Sequence, residues 1–227
     1  MMLGSEPLKR LASARVAVFG VGGVGGHAAE ALARSGVGAI DLIDKDTVEE
    51  TNRNRQAVAL CSTIGLLKTE VMKERILDIN PECRVTCHNI FYLPENAEQF
   101  DLSVYDFILD AIDTVSAKLC LAVFAGQCGV PLIASMGTGN RMDPSKLMVT
   151  DISETSGDPL ARNVRRELRK RGIDHLPVVF SLEPPVKAVD PFTGEHTFTP
   201  GSSAFVPAAA GLLMASYAVR KLSRGAV

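Results

Sequence analysis

At 227 residues, 46% hydrophobic and 22% charged, the chain has the length and composition of one globular unit with a full core. A net charge of -2 excludes a protein that coats nucleic acid over its whole surface, so any such contact has to be a local patch. Five cysteines without a C-x-x-C pair argue against a zinc site or a disulfide framework, and the start of the sequence has no apolar run of signal-peptide type, which points to the cytoplasm and away from a membrane.

Residues 16–19 form a short apolar run of strand type. Gly20, Gly22 and Gly25 then spell G-x-G-x-x-G, with Gly23 inside it, and Ala28, Ala29, Ala31, Leu32 and Ala33 follow as helix formers. Strand, glycine turn and helix in this order make a phosphate-binding βα turn, in which the free N–H groups at the helix start face the anion. Residues 39–44 read as a second strand ending in Asp44, about 20 residues on, where a carboxylate that holds ribose hydroxyls belongs.

Further strands are expected at 85–87, 105–109 and 131–135, with helices at 65–80, 94–100 and 114–128. This alternation implies right-handed crossovers and a parallel sheet. After residue 137 the pattern changes: strands at 147–152 and 176–182, the first antiparallel, a basic helix at 158–171, loop with one hairpin at 183–201, and an Ala-rich helix at 204–222. That last helix is too short and polar to span a bilayer and reads as buried or dimer-facing. The fold class is α/β and Rossmann-like, a mostly parallel sheet with helices on both faces, extended by C-terminal antiparallel strands and helices. One domain is expected over 1–227, with nucleotide binding in 12–135 and the extension in 136–227.

The polar run 44–56 carries Asp44, Asp46, Asn52, Asn54, Arg55 and Gln56. Cations beside a nucleotide site suit a triphosphate, and Arg55 can fork two phosphate oxygens while Asn52 or Asn54 adds neutral donors. A solvated loop is the plain alternative. Lys68 precedes Met72 and Ile76 by one and two steps of four, so it continues the apolar stripe of its helix and points inward, where it needs an anion. Asp113 comes just beyond the fourth strand, at the carboxyl end of the sheet where ligands bind. Beside a polyphosphate it is a candidate magnesium ligand, whereas Asp110 is suited to tying down backbone.

Gly20-x-Gly22-x-x-Gly25, Asp44-x-Asp46, Asn52-x-x-Arg55-Gln56, Lys68 and Asp113 together resemble the ThiF/MoeB/HesA superfamily, relatives of the ubiquitin-activating enzymes. The resemblance implies an enzyme that binds ATP and Mg2+ and adenylates a carboxylate with release of pyrophosphate. It implies that Asp44 holds ribose, that Asn52, Arg55 and Lys68 serve the phosphates, and that Asp113 serves magnesium. It further implies a homodimer and an arginine from the N-terminal segment at the phosphates, for which Arg10 is the candidate because Arg15 borders the first strand.

Within the superfamily the chain is most similar to the tRNA threonylcarbamoyladenosine dehydratase group (TcdA/CsdL). The similarity covers nearly the whole length, including Asp110-Ala-Ile-Asp113, residues 150–160 and Thr199-Pro-Gly-Ser202. It implies ATP-dependent adenylation and dehydrative cyclisation of the threonylcarbamoyl group on tRNA, and a cysteine desulfurase or sulfur-acceptor system as a partner. Arg162, Arg165, Arg166 and Arg169 then become candidate tRNA contacts, with Arg162, Arg165 or Arg166, and Arg169 sharing one helix face. Three other readings compete: an activator of a ubiquitin-like sulfur carrier, a nicotinamide oxidoreductase, and a non-catalytic nucleotide sensor. The first is disfavoured by the missing C-x-x-C pairs and by the absence of cysteine after Cys128.

Overall fold

The computed structural model describes residues 3–186, 194 and 201–224. Most of the stretch where a hairpin was expected, and Thr199 and Pro200 of the quoted motif, lie outside the described residues. The elements run α1 (Ser5–Ser13), β1 (Arg15–Phe19), α2 (Gly25–Arg34), β2 (Ala39–Ile43), α3 (Lys68–Ile79), β3 (Arg84–His88) and β4 (Phe107–Asp110). They continue with α4 (Val115–Cys128), β5 (Leu132–Ser135), β6 (Leu147–Asp151), α5 (Pro159–Arg169), β7 (Pro177–Ser181) and α6 (Val206–Arg224).

The seven strands form one sheet in the order β3-β2-β1-β4-β5-β7-β6. All neighbours are parallel except β6 and β7, which pair antiparallel with Val149 opposite Val179. The central strands are buried on both faces and mostly apolar, with Asp41 in β2 and Asp110 at the end of β4 the buried acids among them. In β1, Val16 and Val18 join the core shared with α2, α3 and α6, while Ala17 and Phe19 point into the core shared with α4 and α5. The chain changes direction along the sheet between β1 and β4, which leaves a crevice at their carboxyl ends.

The C-terminal helix is buried against its own chain. Val206, Ala210, Met214 and Ala218 face the core. Gly211 allows close approach to α2, since a Cβ there would stand 2.2 Å from the Val24 carbonyl oxygen. Most expected boundaries fall within two residues of the observed ones, and four elements show how the structure differs from the sequence pattern. Helix α1 was not anticipated. Helix α3 starts at Lys68 rather than 65, because Gly65 takes a left-handed turn (φ 86) and Leu67 bridges Thr47. The expected helix at 94–100 is one short turn, Ala97–Gln99. Strand β3 is longer than expected at both ends.

Candidate active site

The crevice is lined from several strand ends: Phe19, Gly20, Gly22, Gly23 and Val24 at the end of β1, Asp44 and Asp46 after β2, Ala111 to Thr114 after β4 and Thr138 after β5. Two glycines, Gly20 in the lining and Gly25 beneath it, let its walls come together. Gly20 adopts φ 88, and a Cβ on it would lie 2.7 Å from the Ala111 carbonyl oxygen. A Cβ on Gly25 would lie 1.7 Å from the Gly20 carbonyl oxygen. Only glycine permits the ends of β1 and β4 and the start of α2 to converge in this way.

Asp44 locks the turn in place. One carboxylate oxygen accepts the Val21 N–H at 2.7 Å and the other the Asp46 N–H at 2.8 Å. Burial outweighs these bonds and holds its carboxyl above the usual carboxylate range. A carboxylate has about four acceptor positions, so ribose hydroxyls can still be bound.

Lys68 occupies the first turn of α3, buried, and its ammonium donates to Asp46 at 2.8 Å. The ammonium has three donors, so one pair with a half-exposed aspartate leaves capacity for a phosphate. Arg55 lines the same cleft, with one guanidinium nitrogen donating to the Thr51 carbonyl and the Asn54 side chain. Asp113 is exposed at the rim, held by the Thr114 hydroxyl at 3.3 Å. Gly20, Gly22, Gly23, Asp44, Asp46, Arg55, Lys68 and Asp113 are therefore brought to one cleft.

Gly25 packs beneath that wall rather than in it. Asn52 is the clearer departure: it is buried behind the wall, where its side-chain oxygen accepts the Glu49 N–H and closes the turn Glu50–Asn52. The N-terminal arginines do not reach the cleft of their own chain. Arg10 donates to the Ser223 carbonyl at the end of α6, and Arg15 forks Asp41. Among the tRNA candidates, Arg165 is partly buried and donates to the carbonyls of Ile152 and Thr155 and to the Thr155 hydroxyl. Arg162, Arg166 and Arg169 are exposed on the face of α5 opposite its buried Ala161, Val164 and Leu168.

Sequence reasoning missed three parts of the site. Ile90 to Leu93, after β3, line one end of the cleft, with Lys45 stacked 4.0 Å above the Phe91 ring. Lys118 pairs at 2.9 Å with Asp110, both about 1% exposed, and Asp110 also holds the backbone, as expected, by accepting the Ile112 N–H at 3.0 Å. Lys118 falls on the buried stripe of α4 with Ala122 and Ala125, the signal that found Lys68. Arg141, 2% exposed, ties Asp158 to the loop after β5; it comes from a part of the chain with no periodic pattern.

A model of the ThiF family matches residues 1–226. The chain belongs to the ThiF family. It is 46% identical, over 98% of its own length and 92% of the relative's, to a tRNA threonylcarbamoyladenosine dehydratase of Bacillus subtilis. With the Escherichia coli dehydratase it shares 46% identity over 74% of this chain and 63% of that one. The solved structure of the E. coli dehydratase with ATP superposes with a TM-score of 0.89 at 40% identity, covering 98% of this chain and 91% of that one. Its AMP complex gives 0.90 at 39% identity, with the same coverage. The fold of this chain is thus shared along nearly its whole length with those dehydratases.

Proposed function

We propose that the chain is an ATP-dependent tRNA threonylcarbamoyladenosine dehydratase. The observation that carries this reading is the convergence of the glycine turn, Asp44, Arg55, Lys68 and Asp113 on one crevice. Near-full-length likeness to the dehydratases supplies the substrate class.

ATP enters with its ribose at Asp44 and its phosphates between the N-terminus of α2, Arg55 and Lys68. The threonylcarbamoyl carboxylate attacks the α-phosphorus, the bond to the pyrophosphate breaks, and an acyl-adenylate results. Arg55 and Lys68 offset the negative charge that grows on the departing pyrophosphate. An atom of the same acyl group then displaces AMP, closing a ring. The sum is ATP plus open nucleoside to AMP, pyrophosphate and cyclic nucleoside. No enzyme nucleophile is needed, because the attacking group is already held within the substrate.

Magnesium fits this site through Asp113. Among the described residues no group of three His, Cys, Asp or Glu side chains could hold a metal alone. Mg2+ is commonly held by one or two carboxylates together with substrate phosphates, and an exposed aspartate at the phosphate end meets that requirement. It would supply charge neutralisation to the phosphates. The tRNA lies across α5, on Arg162, Arg166 and Arg169. No helix among the described residues is long and apolar enough to cross a membrane, and cytoplasmic action on tRNA is part of the reading. So are a homodimer and a sulfur-relay partner, which family resemblance supports.

Incubation with ATP, Mg2+ and tRNA, followed by nucleoside mass analysis, tests the reading. The threonylcarbamoyladenosine nucleoside should lose the mass of one water only when ATP is present. An unchanged nucleoside, with the protein folded and ATP consumed, would refute it.

A further inference from the structure

The crevice changes chemistry along its length, in the order of the strands that feed it. The β3 end is apolar and aromatic, from Ile90 to Leu93. The middle is charged, with Asp44, Arg55 and Lys68. At the β5 end the lining is neutral and hydroxylic, with Thr138 and Ser202. No hydrogen bond joins either of those hydroxyls to another described residue.

This hydroxylic end is built from clamped segments. The buried Arg141 guanidinium donates to the carbonyls of Gly137 and Glu183 and to Asp158, fixing the backbone on both sides of the β5 loop. Asn54, from the phosphate-side loop, donates to the Ser202 carbonyl at 2.9 Å, and the Ser203 hydroxyl donates to the Arg141 carbonyl at 3.2 Å. Gln56 adds an independent sign. It is 8% exposed, lines the cleft beside Gly22, and its side-chain oxygen is buried without a partner among the described residues. An orphaned amide of this kind costs about 1–3 kcal/mol, and such groups occur where a ligand completes them.

We infer that Thr138 and Ser202, with the Gln56 amide, form the subsite for the acyl group that is adenylated. The ligand class is an uncharged chain rich in amide and hydroxyl groups that ends in a carboxylate, and the inference rests on the dehydratase reading. The hydroxyls orient that chain through its carbonyl, N–H and O–H groups. Neutral donors suit this place: a cation paired with the attacking carboxylate would stabilise the ground state and blunt the nucleophile. Arg55 and Lys68 are kept at the phosphates instead.

The test uses Thr138→Val, Ser202→Ala and the double variant of the full chain, with two probes: ATP alone, and tRNA that carries or lacks the threonylcarbamoyl group. Each lost hydroxyl should lower kcat/KM for the modified tRNA by about tenfold. Affinity for ATP, and for tRNA without the group, should stay within about twofold of the parent. Gln56→Met removes an unpaired amide, so its Tm should hold or rise while kcat/KM for the modified tRNA falls; a merely structural role would move Tm instead. Unchanged kcat/KM, or ATP affinity that falls by the same factor, would overturn the subsite. A parent that releases no pyrophosphate with modified tRNA would overturn the dehydratase reading, and the subsite with it, before any variant is compared.

Discussion

Lys68 and Asp46 meet at 2.8 Å with very different exposures, 7% for the lysine side chain and 46% for the aspartate. The buried cation is thus fixed from the solvent side by an acid that water can still reach. Removing Lys68 strands no direct partner, because Asp46 is hydrated, and the buried Asp44, which also feels the Lys68 charge, keeps its two backbone N–H bonds. Lys68→Ala should therefore fold normally and lose at least about a hundredfold in adenylation rate, the scale of a lost charge-stabilising contact. Asp113→Ala should behave alike, since that side chain is exposed and its one bond is to Thr114. Circular dichroism checks folding and pyrophosphate release checks activity. Near-parental turnover in both variants would remove these residues from the mechanism.

The arginines of α5 should divide into two classes. Arg162, Arg166 and Arg169 are exposed, and changing all three to Ala should weaken tRNA binding and flatten its dependence on salt, with ATP affinity unaltered. Arg165 binds three backbone and side-chain oxygens around Ile152 and Thr155. Arg165→Ala should cost about 1–3 kcal/mol of stability, read by denaturant unfolding, and leave the salt slope as in the parent. A triple variant with parental tRNA affinity and slope would return the exposed face to solvent.

Lys118 and Asp110 are a fully buried pair in which burial keeps the Asp110 carboxyl above the usual range despite the ammonium beside it. Lys118→Met strands a buried carboxylate and should cost about 3–5 kcal/mol, whereas adding Asp110→Asn should recover much of it. Costs that simply add in the double variant would mean that the two groups do not interact.

Asp41 gives the chain an acid-sensitive element. Burial pushes its carboxyl up, but hydrogen bonds from His88, Arg15 and Tyr105 win, and it is held below its ordinary value. A depressed carboxylate contributes stability that is present above the unfolded value of about 3.9 and lost as pH falls below it. The stability gap between the parent and Asp41→Asn should therefore be widest near neutrality and narrow below about pH 4. Urea titrations at several pH values would show this, and a gap independent of pH would contradict it.

The sequence disclosed those parts of fold and site that depend on local pattern. The β1 run, the G-x-G-x-x-G turn and Asp44 are legible because strand, turn and helix are contiguous there. Lys68 was visible from helical spacing alone. Residues that meet only through the fold were not visible: Ile90 to Leu93 join the cleft because β3 lies beside β2, and Arg141 reaches Asp158 across 17 positions. Asn52 and Arg165 have partners within the fold that the sequence does not disclose, for a shared reason. Their residue types suit a ligand, but backbone groups a few to a dozen positions away compete for the same hydrogen bonds and win.

Pyrophosphate release from ATP with threonylcarbamoyladenosine-containing tRNA, before and after chemical removal of the threonylcarbamoyl group, tests the central claim most directly. The account predicts about one pyrophosphate per modified nucleoside with the intact tRNA and none above background with the stripped tRNA. Equal release from both, or release from neither by the folded protein, would contradict it.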